Sequence, residues 1–356
     1  MSAVLTPFVD HSGWKEHRIR PTVQPLLGDT KALRPQEAPL LQIRELKVAF
    51  DNGTYLIPVL HGVDLELRRG ETLGVVGESG CGKSVTWMAV MQLLGSRARI
   101  DGEILLNGEN IANLPEKGMT PIRGGRIAMV FQDPSSSLNP VKTVGAQMVE
   151  AVKLHRGLTG AAARAEAVRL LDRVHIPGAE QRMRAWPHEL SGGMNQRVMI
   201  AMALAGEPDI LVADEPTTAL DVTIQAQILD LLQALQRDTG MGMVLISHDL
   251  GVIAQVCDRV AVMYAGRVVE RASAEALFSN PCHPYTQGLM AALPDLEGPI
   301  RRLEAIPGTV PAPTAMPSGC SFAPRCKYRM IRCDLQIPDL LGKRPDHVTA
   351  CWRQAV

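Results

Sequence analysis

The chain has 356 residues, more than one average domain and enough for one large domain with an appendage, or two. Apolar residues make up 46%, and Lys plus Arg balance Asp plus Glu at 37 each, so a sizeable core is available and no basic excess points to nucleic acid. No run approaches the roughly 18 apolar residues of a membrane span, and no apolar signal stretch is seen near Met1, so we expect a soluble, cytoplasmic protein that meets membranes only through a partner.

Residues 1–38 are aperiodic and punctuated by Pro7, Pro21, Pro25 and Pro35, and are expected to form an N-terminal extension. Leu41 to Phe50 and Val63 to Leu67 alternate apolar and polar residues, as half-buried strands do. Arg69-Gly70-Glu71 is a turn. Thr72 to Val76, Ile127 to Phe131, Ile210 to Ala213 and Met243 to Ser247 are short apolar runs, the pattern of strands buried on both faces. Ala161 to Val174 and Ile224 to Gln236 have helical periodicity. Strands alternating with helices predict an α/β fold with a mostly parallel sheet covered on both sides. Beyond Ala272 the texture becomes turn-rich. Asn280 to Tyr285 and Pro307 to Pro317 predict extended segments and no second core.

Gly77-Glu78-Ser79-Gly80-Cys81-Gly82-Lys83-Ser84 fits the phosphate-binding pattern G-x-x-x-x-G-K-[ST] and follows a strand-like run. Its glycines let backbone N–H groups approach phosphate oxygens, and a helix starting near Lys83 adds its dipole. Lys83 would reach the β- and γ-phosphates, and the Ser84 hydroxyl would bind Mg²⁺. Asp214 and Glu215 end the run Ile210 to Ala213. A strand end beside a phosphate loop puts Asp214 near the metal and lets Glu215 polarise the attacking water. Ser191-Gly192-Gly193 precedes Met194 to Ala205, a helix-competent stretch that Ser191 would cap. A second anion-binding helix end in one chain is best explained if it faces nucleotide held by another subunit.

These segments resemble the ATP-binding subunits of ABC transporters over about Leu40 to Ala272. Leu190-Ser191-Gly192-Gly193-Met194-Asn195-Gln196-Arg197 looks like their signature, with Met194 where many members have glutamine. Gln132 resembles the glutamine that senses Mg²⁺ and the attacking water. Ala219-Leu220-Asp221 resembles the D-loop, and His248 the switch histidine at the γ-phosphate. Phe50 sits where the family places an aromatic on adenine, with Tyr55 as the alternative. The resemblance implies a P-loop ABC-type ATPase domain (39–272) with an inserted helical subdomain at about 134–200. It also implies head-to-tail pairing, homo- or heteromeric, around two ATP molecules. A soluble ABC-type ATPase acting on DNA or ribosomes is the alternative.

Phe131 to Pro140 and Asn280-Pro281-Cys282-His283-Pro284-Tyr285-Thr286, followed by Gly288-Leu289-Met290 and Leu293-Pro294, resemble the dipeptide/oligopeptide importer branch. That branch implies two membrane permease subunits, a second ATPase, an extracytoplasmic solute-binding protein and a place at the cytoplasmic face of the plasma membrane. Of the seven cysteines, an odd count that argues against a disulfide framework, four cluster in the extension at 273–356: Cys320, Cys326, Cys333 and Cys351. Their spacing fits neither a zinc ribbon nor a ferredoxin run. It resembles the cysteine block of some peptide-importer ATPases, which holds a [4Fe–4S] cluster; structural zinc and unliganded thiols are the other readings.

Overall fold

A computed structural model describes residues 38–218, 220–292, 305–344 and 346–354. The N-terminal extension apart from its last residue, Ala219 and Leu293-Pro294 lie outside the described residues.

The strands are β1 (Leu41–Asp51), β2 (Leu56–Leu67), β3 (Thr72–Val76), β4 (Ala98–Leu106), β5 (Glu109–Asn110), β6 (Ile127–Val130), β7 (Ile210–Asp214), β8 (Gly242–Ile246), β9 (Arg259–Tyr264), β10 (Arg267–Ser273), β11 (Leu341–Arg344) and β12 (His347–Thr349). The helices are α1 (Lys83–Val90), α2 (Glu116–Met119), α3 (Pro134–Ser137), α4 (Val144–Arg156), α5 (Gly160–Arg173) and α6 (Ala179–Arg182). They continue with α7 (Gly192–Ala203), α8 (Val222–Thr239), α9 (Leu250–Val256), α10 (Ala274–Ser279), α11 (Pro284–Ala291) and α12 (Ile331–Leu335).

Two sheets form. An antiparallel one runs β2-β1-β4-β5, and a larger one runs β11-β12-β10-β9-β3-β8-β7-β6. β9, β3, β8, β7 and β6 are mutually parallel, whereas β10 and β12 join antiparallel. The expected α/β fold is therefore present. Every residue of β3, β7, β8 and β9 is buried, which is why these segments are continuous apolar runs in the sequence. Alternate residues serve opposite faces. Leu211, Ala213, Met243 and Leu245 enter one core, and Ile210, Val212, Val244 and Ile246 enter the other. Each such fully buried Leu, Ile, Val or Met side chain contributes about 1.5–3 kcal/mol.

Between β6 and β7 the chain is helical, from α3 to α7, which ends at Ala203. Its helices share Met148, Val152, Ala167, Leu170, Leu171 and Val198 with the core on one face of the sheet. β2 begins seven residues before the expected Val63, because its first half is largely solvent-facing and carries little periodic signal.

The C-terminal segment departs most from expectation. Pro284 is the first residue of α11, where a missing N–H costs nothing, and is not a breaker. His283 caps that helix, its Nδ1 accepting from the Tyr285 N–H at 3.0 Å. Tyr285 and Phe322 are buried in the main core and pack on Tyr264, with ring centroids 4.7 and 5.2 Å away. β12 pairs with β10 through Glu270–Thr349, Arg271–Val348 and Ala272–His347. The tail is thus part of the large sheet and its core, through long-range pairing that no local pattern displays.

Candidate active site

Four parallel strands of the large sheet, β3, β8, β7 and β6, are contiguous, and the chain leaves their C-terminal ends along one edge. Each exit carries chemistry: Gly77 to Ser84 after β3, His248 after β8, Asp214 and Glu215 at the end of β7, and Gln132 after β6. The crevice outside the carboxyl ends of parallel strands is where α/β sheets take ligands.

A Cβ on Gly77 would lie 2.2 Å from the Met263 carbonyl oxygen, so only glycine lets the chain leave β3 here. Gly82, at φ +103, forms the entry to α1. Lys83 is buried, and its Nζ donates to the carbonyls of Gly77 at 2.8 Å and Glu78 at 3.2 Å. The loop therefore encloses its own cation.

Asp214 is buried beside this loop. Burial pushes its carboxyl above the usual range, a hydrogen bond with Ser84 opposes that, Glu215 adds to the rise and Lys83 counters it. A hydroxyl and a carboxylate in contact are hard oxygen donors of the kind Mg²⁺ takes, so the residues present fit that ion.

Glu215 adopts φ +47, a strained conformation for a non-glycine residue, and its N–H donates to the Ile246 carbonyl at 2.9 Å. Its Oε2 accepts from Gln132 Nε2 at 3.0 Å and from the Thr218 hydroxyl at 2.9 Å, and lies 3.3 Å from His248 Nδ1. Three of the residues singled out by sequence thus meet at one carboxylate oxygen. Thr218 was missed. Its signal is local: a hydroxyl three residues after a carboxylate, across a Pro216 turn.

Ser191 caps α7, its Oγ accepting from the Met194 N–H at 3.3 Å, and Ser191 and Gly192 are exposed. Only the backbone of Met194 takes part in this cap, so the departure from glutamine leaves the turn intact. Asp221 likewise caps α8, accepting from the Ile224 N–H at 3.0 Å. Phe50 is half-buried near the end of β1 against the second core, and Tyr55 is exposed in the loop that follows.

Sequence reasoning also missed two long-range contacts at Glu78. Its N–H donates to the Tyr285 hydroxyl at 2.8 Å, and Arg325 Nη1 donates to both of its carboxylate oxygens at 3.0 Å. Nor did it single out Glu270, fully buried, which accepts from the backbone N–H groups of Cys282 and His283 and pairs with His347 Nε2 at 2.8 Å. These donors already satisfy that carboxylate.

Cys320, Cys326, Cys333 and Cys351 line one small cavity together with Tyr328, Trp352 and Arg353. Burial and the neighbouring thiols push Cys320 up to about 11, and burial also raises Cys326 and Cys351, so without a ligand these groups stay protonated at neutral pH. The donor set is soft and convergent.

Among the described residues no helix is long and apolar enough to cross a membrane. Residues 60–218 match the ABC transporter family, and residues 269–333 match the oligopeptide/dipeptide transporter C-terminal region. The chain is 48% identical to a probable peptide ABC transporter ATP-binding protein of Sinorhizobium fredii, over 90% of this chain and 96% of that one. It is 47% identical to the oligopeptide transport ATP-binding protein OppD of Salmonella typhimurium, over 92% and 98%. Among solved structures it is similar to the dimeric ATP-binding cassette MJ0796 bound to ADP and Pi. There the TM-score is 0.59 and the identity 28%, over 66% of this chain and 98% of that one.

Proposed function

This chain belongs to the ABC transporter ATP-binding family, in its peptide-importer branch, and from that membership we propose how its residues drive import of di- or oligopeptides or related small solutes. The observation that carries the reading is the meeting of Gln132, Thr218 and His248 at the Glu215 carboxylate, beside the phosphate loop. ATP is hydrolysed there. Lys83 leaves the loop carbonyls for the phosphates, and the amides from Gly80 to Ser84 take up phosphate oxygens. Ser84, Asp214 and Gln132 would hold Mg²⁺, which would neutralise charge developing on the transferred phosphoryl group. Glu215 accepts a proton from the attacking water, and His248 reaches the γ-phosphate. Phe50 stacks on adenine.

The exposed Ser191 and Gly192, with Gly193 and Asp221, face nucleotide held by a second ATPase in a head-to-tail pair. Binding closes the pair, and hydrolysis opens it. A groove lined by Asn139, Lys142, Gln147, Glu150, Leu154 and Met202, with Val141 exposed nearby, lies a few residues beyond Gln132. It supports docking of two permease subunits at the cytoplasmic face of the plasma membrane, supplied by an extracytoplasmic solute-binding protein. The relatives' names favour transport over the DNA- or ribosome-linked alternative. An affinity pull-down from detergent-solubilised membranes tests this. Two multi-span proteins and a second ATPase are expected, and recovery of ribosomal or DNA-bound proteins alone would overturn the transport role.

For the cysteine block we propose a [4Fe–4S] cluster. Four thiols lining one cavity, with a sequence spacing that fits no zinc ribbon, support it. Broad absorbance at about 400 nm in an anaerobic preparation, lost in Cys326→Ser, is expected for such a cluster. A colourless anaerobic protein would refute it.

A further inference from the structure

Glu78 is the second residue of the phosphate loop, yet residues of the C-terminal segment hold it on two sides. The Tyr285 hydroxyl accepts from its N–H, and Arg325 pairs with its carboxylate. Arg325 is itself immobilised. Its Nε donates to the Pro307 carbonyl at 2.8 Å, Nη1 also reaches the Tyr264 hydroxyl at 3.3 Å, and its guanidinium lies 5.7 Å from the Tyr264 ring centroid. Tyr285 is fully buried between Tyr264 and Phe322. The Glu78 carbonyl accepts from Lys83 Nζ. One residue therefore joins the tail to the phosphate-binding lysine.

A carboxylate on a loop that binds a polyanion repels its ligand unless a cation cancels it. Arg325 supplies that cation from a nearly buried site whose position the loop sequence does not control. We propose that Arg325 is a positioning residue for ATP binding, which neutralises Glu78 and, with Tyr285, fixes the phosphate loop in its binding form. This rests on the reading of Gly77 to Ser84 as the nucleotide site. The tail thereby sets the affinity of the site without touching nucleotide.

The test is titration of the full-length chain with a fluorescent ATP analogue, alongside its unfolding temperature. Arg325→Met raises Kd about ten- to a hundred-fold, within the usual span of coupling between sites. Adding Glu78→Gln to Arg325→Met removes the stranded carboxylate and recovers most of the affinity, a rescue that a merely structural role would not give. Tyr285→Phe keeps the ring and raises Kd by a smaller factor, so it serves if Arg325→Met does not fold. An unmoved Kd in Arg325→Met or Tyr285→Phe, or no recovery in the double variant, overturns the clamp alone. A wild-type chain that binds no nucleotide, or Lys83→Ala that binds as well as wild type, overturns the nucleotide-site reading itself.

Discussion

His283 makes the protein acid-sensitive in a calculable way. Its ring is fully buried, with Nδ1 accepting from Tyr285 and a hydrogen bond with the Ala350 backbone. Burial holds its pKa down to about 3, and the Ala350 contact opposes that only in part. In the unfolded chain the imidazole takes up a proton near pH 6.5. Above that pH both states are neutral and stability is unaffected. Below it the unfolded state binds a proton that the native state refuses, so stability falls as pH drops from about 6.5 toward 3. At pH 5 the loss is about 1.5 units at 1.36 kcal/mol each, or about 2 kcal/mol. Urea unfolding of the full-length chain at pH 7.5 and 5.0 measures it, with His283→Asn as reference. Asparagine keeps an acceptor for the Tyr285 N–H but does not titrate. His61 and His155, also lowered by burial, are common to both chains and cancel. Wild type is expected to lose about 2 kcal/mol more than the variant over this interval. Parallel losses would refute the argument.

Glu215→Gln keeps ATP binding and slows hydrolysis about 10²–10⁴-fold in a steady-state phosphate-release assay; turnover near wild type would reject the base assignment. Thr218→Val removes one hydrogen bond from the Glu215 carboxylate, worth about 1 kcal/mol, and lowers kcat about five-fold with KM little changed. Arg259 is almost fully buried, pairing with Glu71 and donating to the Glu66 carboxylate at 2.8 Å and the Glu66 carbonyl at 2.7 Å. Arg259→Met strands the buried Glu71 and costs about 3–5 kcal/mol by urea unfolding, and a loss under about 1 kcal/mol would contradict the pairing.

The residues of the site were legible because their spacing is set by strand ends. A phosphate loop must follow a buried strand, and β3, β7 and β8 are continuous apolar runs that announce themselves. Ser191 and Asp221 were legible as caps, or as motif residues in capping positions, because a cap is a local device. What could not be read was long-range. Arg325 belongs to no motif read from the sequence, and nothing near it in sequence names Glu78 as its partner. The edge of β10 is an ordinary alternating segment, so its pairing with His347 to Thr349 has no local trace. Pro284 misled in a different way, since proline reads as a breaker until its position in the helix is known.

The seating of β12 on β10 has a consequence for how the protein can fail. The Ala350 N–H also donates to the Val269 carbonyl at 2.8 Å, so residues 347–350 cover the outer backbone of β10. A chain cut at residue 272 would keep every nucleotide-contacting motif and yet present a bare strand edge flanked by Val268 and Val269. Unpaired edges recruit other chains. Loss of the tail should therefore bring self-association and clearance of the protein in addition to the weaker nucleotide binding that loss of Arg325 and Tyr285 causes.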